Sequence, residues 1–157
     1  MSGAIPQPAL TLAYRLEAQI GELLDLGETH AGRRRIAHLT AGRFSGPALA
    51  GELVAGASAD WQLILPDGTA VADIRYTLRT DDDVLIYVRN HGLRHGPPEV
   101  IAALAAGQPV DPSRYYFRGA AFFETSAARY AWLTKHIIVC TGEREPATVK
   151  LKFFQVL

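Results

Sequence analysis

Apolar and polar residues alternate with period two through most of the chain. From 9 to 21, Leu10, Leu12, Tyr14, Leu16, Ala18 and Ile20 fall on one side, and Thr11, Arg15, Glu17 and Gln19 on the other. Successive side chains of a strand point to opposite faces, so this pattern predicts a half-buried strand. The same period sets Ile74, Tyr76 and Leu78 against Asp73, Arg75 and Thr77, and Val84, Ile86 and Val88 against Tyr87, Arg89 and His91. Near the end, Val149, Leu151 and Phe153 oppose Lys150, Lys152 and Phe154. Turn residues punctuate the segments. Pro66-Asp67-Gly68 predicts a hairpin between 60–65 and 70–79, because Pro presets φ and Gly supplies a positive φ. Asp81 to Asp83 predicts a second, between 70–79 and 84–92. About nine strands follow: 9–21, 32–44, 48–55, 60–65, 70–79, 84–92, 115–124, 134–142 and 147–156. Pro97-Pro98-Glu99 and Gly107 bracket one short helix near 98–106, and Ser126 to Tyr130 predicts a single helical turn. The expected fold is mainly all-β: an antiparallel barrel with one short helix in a long connection. A barrel of eight to ten strands can enclose one small ligand.

Composition narrows the function. The 157 residues suit a single domain spanning 1–157, with 1–8 as a flexible lead. Sixteen Lys and Arg balance sixteen Asp and Glu. A neutral chain lacks the basic excess that neutralises phosphates, so no nucleic-acid partner is expected, and no polybasic membrane signal is present. No run reaches the ~18 apolar residues of a spanning helix, and the first residues, MSGAIPQP, lack the charged and apolar regions of a signal peptide. A cytoplasmic protein without membrane contact is expected. The one cysteine, Cys140, permits no internal disulfide and no multi-Cys zinc site. The five histidines show no HxH or HExxH spacing, and no P-loop, GxGxxG or GxSxG occurs, so neither a metal nor an organic cofactor is expected.

Several groups carry candidate chemistry. Asp60-Trp61 opens a strand after a turn of small residues. It reads either as a general acid/base beside an aromatic wall or as a turn Asp with a core Trp. The turn at 81–83 places Arg75 opposite Arg89 and Thr77 opposite Tyr87. Two facing arginines repel unless an anion lies between them. They form either an anion clamp or a solvated ladder of ion pairs on the outside. Tyr116, Arg118, Phe122 and Glu124 share one face and can line a pocket thinned by Gly119-Ala120-Ala121, unless the charges pair with neighbours instead. Tyr130 and Trp132 can cover one barrel end or pack as core. His136 is expected on the face of Ile138 and Cys140, as a core histidine or a ligand contact. Cys140 reads as buried and inert.

The blocks GRRRIAHLTAGRFSGPALAGELVAGASADW (32–61), DIRYTLRTDDD (73–83), YFRGAAFFET (116–125) and YAWLTKHIIVCTGER (130–144) together resemble the bacterial and fungal domain-of-unknown-function family 3237, from about residue 9 onward. The resemblance implies a compact β-barrel and no general activity or cofactor. The family's turn after RYTLRT usually reads Asp-Asp-Gly. Here Asp83 stands third, at a position expected to demand φ > 0.

Two functional readings result. One is a cofactor-free enzyme of isomerase, cyclase or lyase type, acting by proton transfer on a small anionic or enolisable organic substrate. In it Asp60, Glu124, Arg75, Arg89 and Arg118 are catalytic, and Trp61, Tyr76, Tyr87, Tyr116, Phe122, Tyr130, Trp132 and His136 contact substrate. All the charged groups and Trp61 are expected to converge on one cavity. The other is a non-catalytic carrier or sensor of lipocalin-like architecture. The apolar terminal run FFQVL adds the expectation of a homodimer or higher homo-oligomer.

Overall fold

The computed structural model describes residues 3–157, so part of the expected flexible lead, residues 1–2, lies outside the described residues. Residues 3–9 are exposed and outside regular structure. Nine strands follow: β1 (Leu10–Thr29), β2 (Gly32–Ser45), β3 (Ala50–Leu53), β4 (Ala59–Ile64), β5 (Ala70–Thr80), β6 (Leu85–His95), β7 (Tyr116–Glu124), β8 (Ile138–Arg144) and β9 (Thr148–Val156). One helix, α1 (Pro98–Ala105), lies between β6 and β7, with Pro in its first turn as expected. Every pairing is antiparallel, and β1 pairs with both β9 and β2, which closes the sheet into a barrel. The short strands β3 and β4 share one place in the ring. Both lie between β2 and β5, and residues 54–58 loop out between them.

Because the ring is closed, period two sorts every strand residue into inside or outside. On β5, Ala72, Ile74, Tyr76 and Leu78 are buried while Arg75 is exposed. The β5–β6 register sets Arg75 opposite Arg89 and Thr77 opposite Tyr87, as the turn at 81–83 predicts. Asp83 in that turn has φ 65°, the one positive φ outside glycine among the described residues, and its carboxylate accepts a 2.7 Å bond from Arg79.

The two ends of the barrel are filled differently. At the end of the 81–83 turn the interior is aromatic. Tyr14 stacks on Phe153 at 4.4 Å between centroids and meets Phe44 and Phe123 edge-on at 5.8 and 6.2 Å. A 3-10 segment, Ala128–Thr134, closes this end with buried Tyr130 and Leu133. At the other end the inward residues are small (Ala37, Ala70, Ala72), and space remains under α1. Gly142 is confined by the Phe117 ring, which would lie 2.5 Å from any added Cβ.

Three expectations change. Residues 134–137 precede the strand instead of belonging to it, because the 3-10 segment runs to Thr134. His136 is therefore exposed, its Nδ1 2.8 Å from the Trp132 carbonyl oxygen. A register shift between Leu12 and Tyr14 buries both Ala13 and Tyr14 and breaks the simple alternation there. β1 also continues to Thr29. Beyond Gln19 it leaves β9 and pairs along its length with β2 alone, so Leu23, Leu24 and Leu26 are exposed on that part of the strand.

Phe153 is fully buried, and no neighbour can move far enough in a closed ring to fill its space. Phe153→Ala should lower unfolding stability by about 3–5 kcal/mol, the usual cost of truncating a buried aromatic. A urea midpoint close to wild type would contradict the packing described.

Candidate functional site

The small-residue end of the barrel encloses a cavity of about 440 Å³, within the usual range for small-ligand sites. Its apolar wall includes Leu16, Leu39, Ile74 and Leu151, and α1 covers it through Ile101 and Leu104. The polar groups come from four strands. Asp60 and Gln62 project inward from β4, Arg35 from β2, Arg94 from the end of β6, and Arg144 from the end of β8.

Asp60 faces inward because its ladder partners, Ala37 on β2 and Ile74 on β5, also line the cavity. One carboxylate oxygen accepts the Asp73 backbone N–H at 3.0 Å, and the other lies 3.4 Å from the Gln62 amide nitrogen. Gln62 in turn accepts from Arg35 Nε at 3.1 Å, so a polar chain runs Arg35–Gln62–Asp60. Burial dominates the Asp60 titration and pushes its pKa up to about 6. The Asp73 N–H and the Arg94 charge oppose that rise without cancelling it. Burial also brings Arg94 down to about 10, helped by the Arg144 and Arg35 charges, and it lowers Arg144 in the same way. At the rim, Arg33 is held by the Asp25 carboxylate through Nε and Nη2. Tyr76 lines the cavity, and its hydroxyl lies 2.8 Å from that of Tyr14. Burial holds both phenols well above their ordinary pKa.

The charged residues expected to converge do not. Of these, only Asp60 lies in the cavity; Tyr76, expected to contact substrate, lines it too. Ile74 and Tyr76 point inward, so Arg75 between them points out, and on β6 Val88 and Asn90 turn Arg89 out in the same way. Both arginines bond the partly exposed Asp73, at 3.2 and 3.4 Å, which makes the solvated ladder of ion pairs the correct alternative. Trp61 is 38% exposed on the same outer face, with the Arg75 guanidinium 5.9 Å from its ring. On β7, Phe117, Ala121 and Phe123 face in. Tyr116, Arg118, Phe122 and Glu124 therefore do share a face, but it is the outer one. Phe122 is 59% exposed, Glu124 sits opposite the half-buried Tyr87, and Arg118 covers Tyr116 at 5.3 Å. Arg118 also borders a separate open groove of about 700 Å³. Tyr130 is core at the opposite end, its hydroxyl 2.6 Å from Asp82, and Trp132 packs beside it against the core. Cys140 is buried and bonded by Asn90 at 3.3 Å, and burial raises its thiol to about 11.

Arg35, Gln62, Arg94 and Arg144 were not anticipated, although their signal is simple. Each continues the inward parity of its strand: Leu39, Ala37, Arg35 on β2; Val88, Asn90, Gly92, Arg94 on β6; Cys140, Gly142, Arg144 on β8.

Residues 8–156 match the family described as "Protein of unknown function (DUF3237)", and the chain belongs to that family. A UPF0311 protein of Clostridium acetobutylicum is 40% identical over 125 residues, 80% of this chain and 78% of that protein. The crystal structure of a conserved protein of unknown function from Rhodopseudomonas palustris superposes with a TM-score of 0.93 at 33% identity, over 98% of this chain and all (100%) of that one. A structure described as an enzyme from Penicillium herquei shares the fold at a TM-score of 0.72 and 21% identity, over 99% of this chain and 100% of that one.

The Asp60 environment has a pH signature. Its folded pKa lies above the ordinary value of 3.8, so the folded state takes up the proton first as pH falls. Well below pH 3.8 both states are protonated and the site costs nothing. From there to above pH 6 stability falls as pH rises, by about 3 kcal/mol in all. Relative to Asp60→Asn, wild type should therefore lose on the order of 2 kcal/mol between pH 4 and pH 7. Urea unfolding of both proteins at the two pH values measures this, and a flat difference contradicts the raised pKa of the carboxyl.

Proposed function

We propose that this DUF3237 barrel is a cofactor-independent enzyme that moves a proton on a small enolisable organic substrate, with Asp60 as the base. The observation that carries the reading is a half-buried carboxyl at the edge of a roofed cavity, within the field of guanidinium groups. With its pKa near 6, Asp60 is ionised at neutral pH and yet more basic than an ordinary aspartate. Only one close hydrogen bond, from Asp73, occupies it, which leaves lone pairs directed at the cavity.

In the simplest cycle, Asp60 takes a proton from the carbon next to a substrate carbonyl. The C–H electron pair moves into the new C=C bond and the carbonyl pair onto oxygen, giving an enolate. An arginine at the cavity stabilises that oxygen before bulk water can reach it. The protonated Asp60 then returns the proton to the same or a neighbouring carbon, which gives exchange or isomerisation. Ring closure or elimination uses the same two groups. The enzyme neighbour in Penicillium herquei shares only the fold, so it supports the capacity of this barrel to host chemistry and nothing about the reaction.

The test is proton exchange. Wild-type protein in D2O with a panel of 2-oxo and 3-oxo acids should remove the α-proton signal of at least one of them by NMR. The rate should rise through about pH 6, and Asp60→Asn should be roughly 10²-fold slower, the usual scale for a general base. Exchange absent from the whole panel, or unchanged in Asp60→Asn, overturns the enzyme reading. Tight binding without exchange is the outcome that the carrier reading expects. Self-association is also proposed, supported by exposed Leu24 and Leu26 on the part of β1 that has left β9. The terminal run offers less for this than expected, since Phe153 is core.

A further inference from the structure

The cationic groups at the cavity are not equally occupied. Arg33 is tied to Asp25, Arg35 to the Gln62 side-chain oxygen, and Arg144 reaches the Thr148 carbonyl oxygen at 3.5 Å. Arg94 has no hydrogen bond and no ion pair to any acceptor among the described residues. It stands on the last turn of β6 before α1, with its guanidinium 5.9 Å from the Phe117 ring and its surface mostly buried. The one carboxylate of the cavity, Asp60, forms no ion pair with Arg94; its hydrogen bonds come from the Asp73 N–H and, at 3.4 Å, from Gln62. Arg94 is half-buried and its guanidinium keeps contact with solvent in the cavity, so an incoming acceptor can reach it. With Arg33 paired to Asp25, the remaining three arginines against the one carboxylate, Asp60, leave the cavity short of negative charge.

We propose that Arg94, supported by Arg144, receives the carboxylate of an organic monoanion whose apolar body lies against Leu16, Leu39, Ile74 and Leu151. The planar fork of Arg94 matches a carboxylate with two parallel hydrogen bonds. The four leucine and isoleucine side chains offer no polar partner, so the part of the ligand that lies against them must be apolar. A phosphate fits less well. The wall amides are committed to strand ladders; at the start of α1, Pro97 and Pro98 carry no N–H, and the Val100 and Ile101 amides donate to the Pro97 carbonyl, so no cluster of free N–H groups is offered there. The proposal rests on the functional reading only in taking the cavity as the ligand site. If both hold, Arg94 anchors the carboxylate and Asp60 works on a carbon further along the same molecule.

The probes are 2-naphthoate and its neutral isostere 2-naphthamide, titrated by calorimetry into wild type, Arg94→Met and Arg94→Lys. Wild type should bind naphthoate on the order of 10-fold or more tightly than naphthamide, the scale of one charge-assisted bidentate pair. Arg94→Met should abolish that preference while keeping naphthamide affinity, which also reports an intact barrel. Arg94→Lys keeps the charge without the fork and should fall between. Equal affinities in wild type, failure of both probes to bind, or a preference retained in Arg94→Met overturns the proposal. Because binding is read without turnover, a protein that prefers naphthoate but exchanges no proton sinks the enzymatic reading and leaves this one standing.

Discussion

Closure of the sheet through β1 against β2 is the constraint on which the rest of the protein depends. In an open sheet, a side chain on either face can find solvent at the edge. In a closed ring each strand residue is committed to the interior or the exterior, and the interior has a fixed size. What fills it then decides what the barrel can do. Tyr14, Phe44, Phe123 and Phe153 saturate one end by stacked and edge-on contacts. Alanines at the other end cannot reach across, so a cavity forms there without any strand moving apart. The ladder hydrogen bonds make this arrangement stiff. The walls cannot collapse inward without breaking backbone pairs.

That stiffness gives the polar groups their properties. Asp60 sits on a short strand, and its carboxyl takes the backbone N–H of Asp73 on the neighbouring strand. Both strands are fixed by the ring, which keeps the carboxyl on the barrel's inner face, where burial raises its proton affinity. The same geometry fixes Arg94 and Arg144 at the strand ends under α1. Their charges keep Asp60 from becoming a fully neutral acid, and its negative charge limits their mutual repulsion. The cavity is therefore preorganised, with charges in place before a substrate enters.

Most of the architecture was legible because period two and turn chemistry are local signals. The hairpin at Pro66-Asp67-Gly68, the 81–83 register and the positive φ at Asp83 all follow from a few adjacent residues. The family blocks carried the rest of the fold. The site was harder, for a physical reason. Arg75, Arg89, Arg118 and Glu124 lie among apolar neighbours in sequence, but alternation puts those neighbours on the opposite face, so proximity along the chain says nothing about burial. The 3.2 and 3.4 Å bonds to Asp73 show how cheaply the outer charges are satisfied in solvent. Arg94 and Arg144 carry the correct parity, yet they stand at strand ends, where the expected boundary of 84–92 stopped short of the observed His95. An inward charge is tolerable only where the barrel is hollow, and hollowness is a property of the summed side-chain volume in one layer, spread over residues from 16 to 151.

The packing at position 60 makes no demand for a carboxylate. An amide could accept the Asp73 N–H without a charge to desolvate, although its NH2 would then face that of Gln62. At neutral pH the ionised group makes the barrel less stable than it would be with the group protonated, since folding must hold a negative charge at a proton affinity raised by burial. A stability cost placed at the wall of a preformed cavity, beside a guanidinium that has no acceptor among the described residues, is the pattern expected where stability has been given up for chemistry. Neither feature would suffice by itself. A raised aspartate occurs in structural networks, and an unpaired arginine occurs at many surfaces. Their meeting in one roofed cavity, with an aromatic core sealing the far end, is the ground on which the proposed reaction site rests.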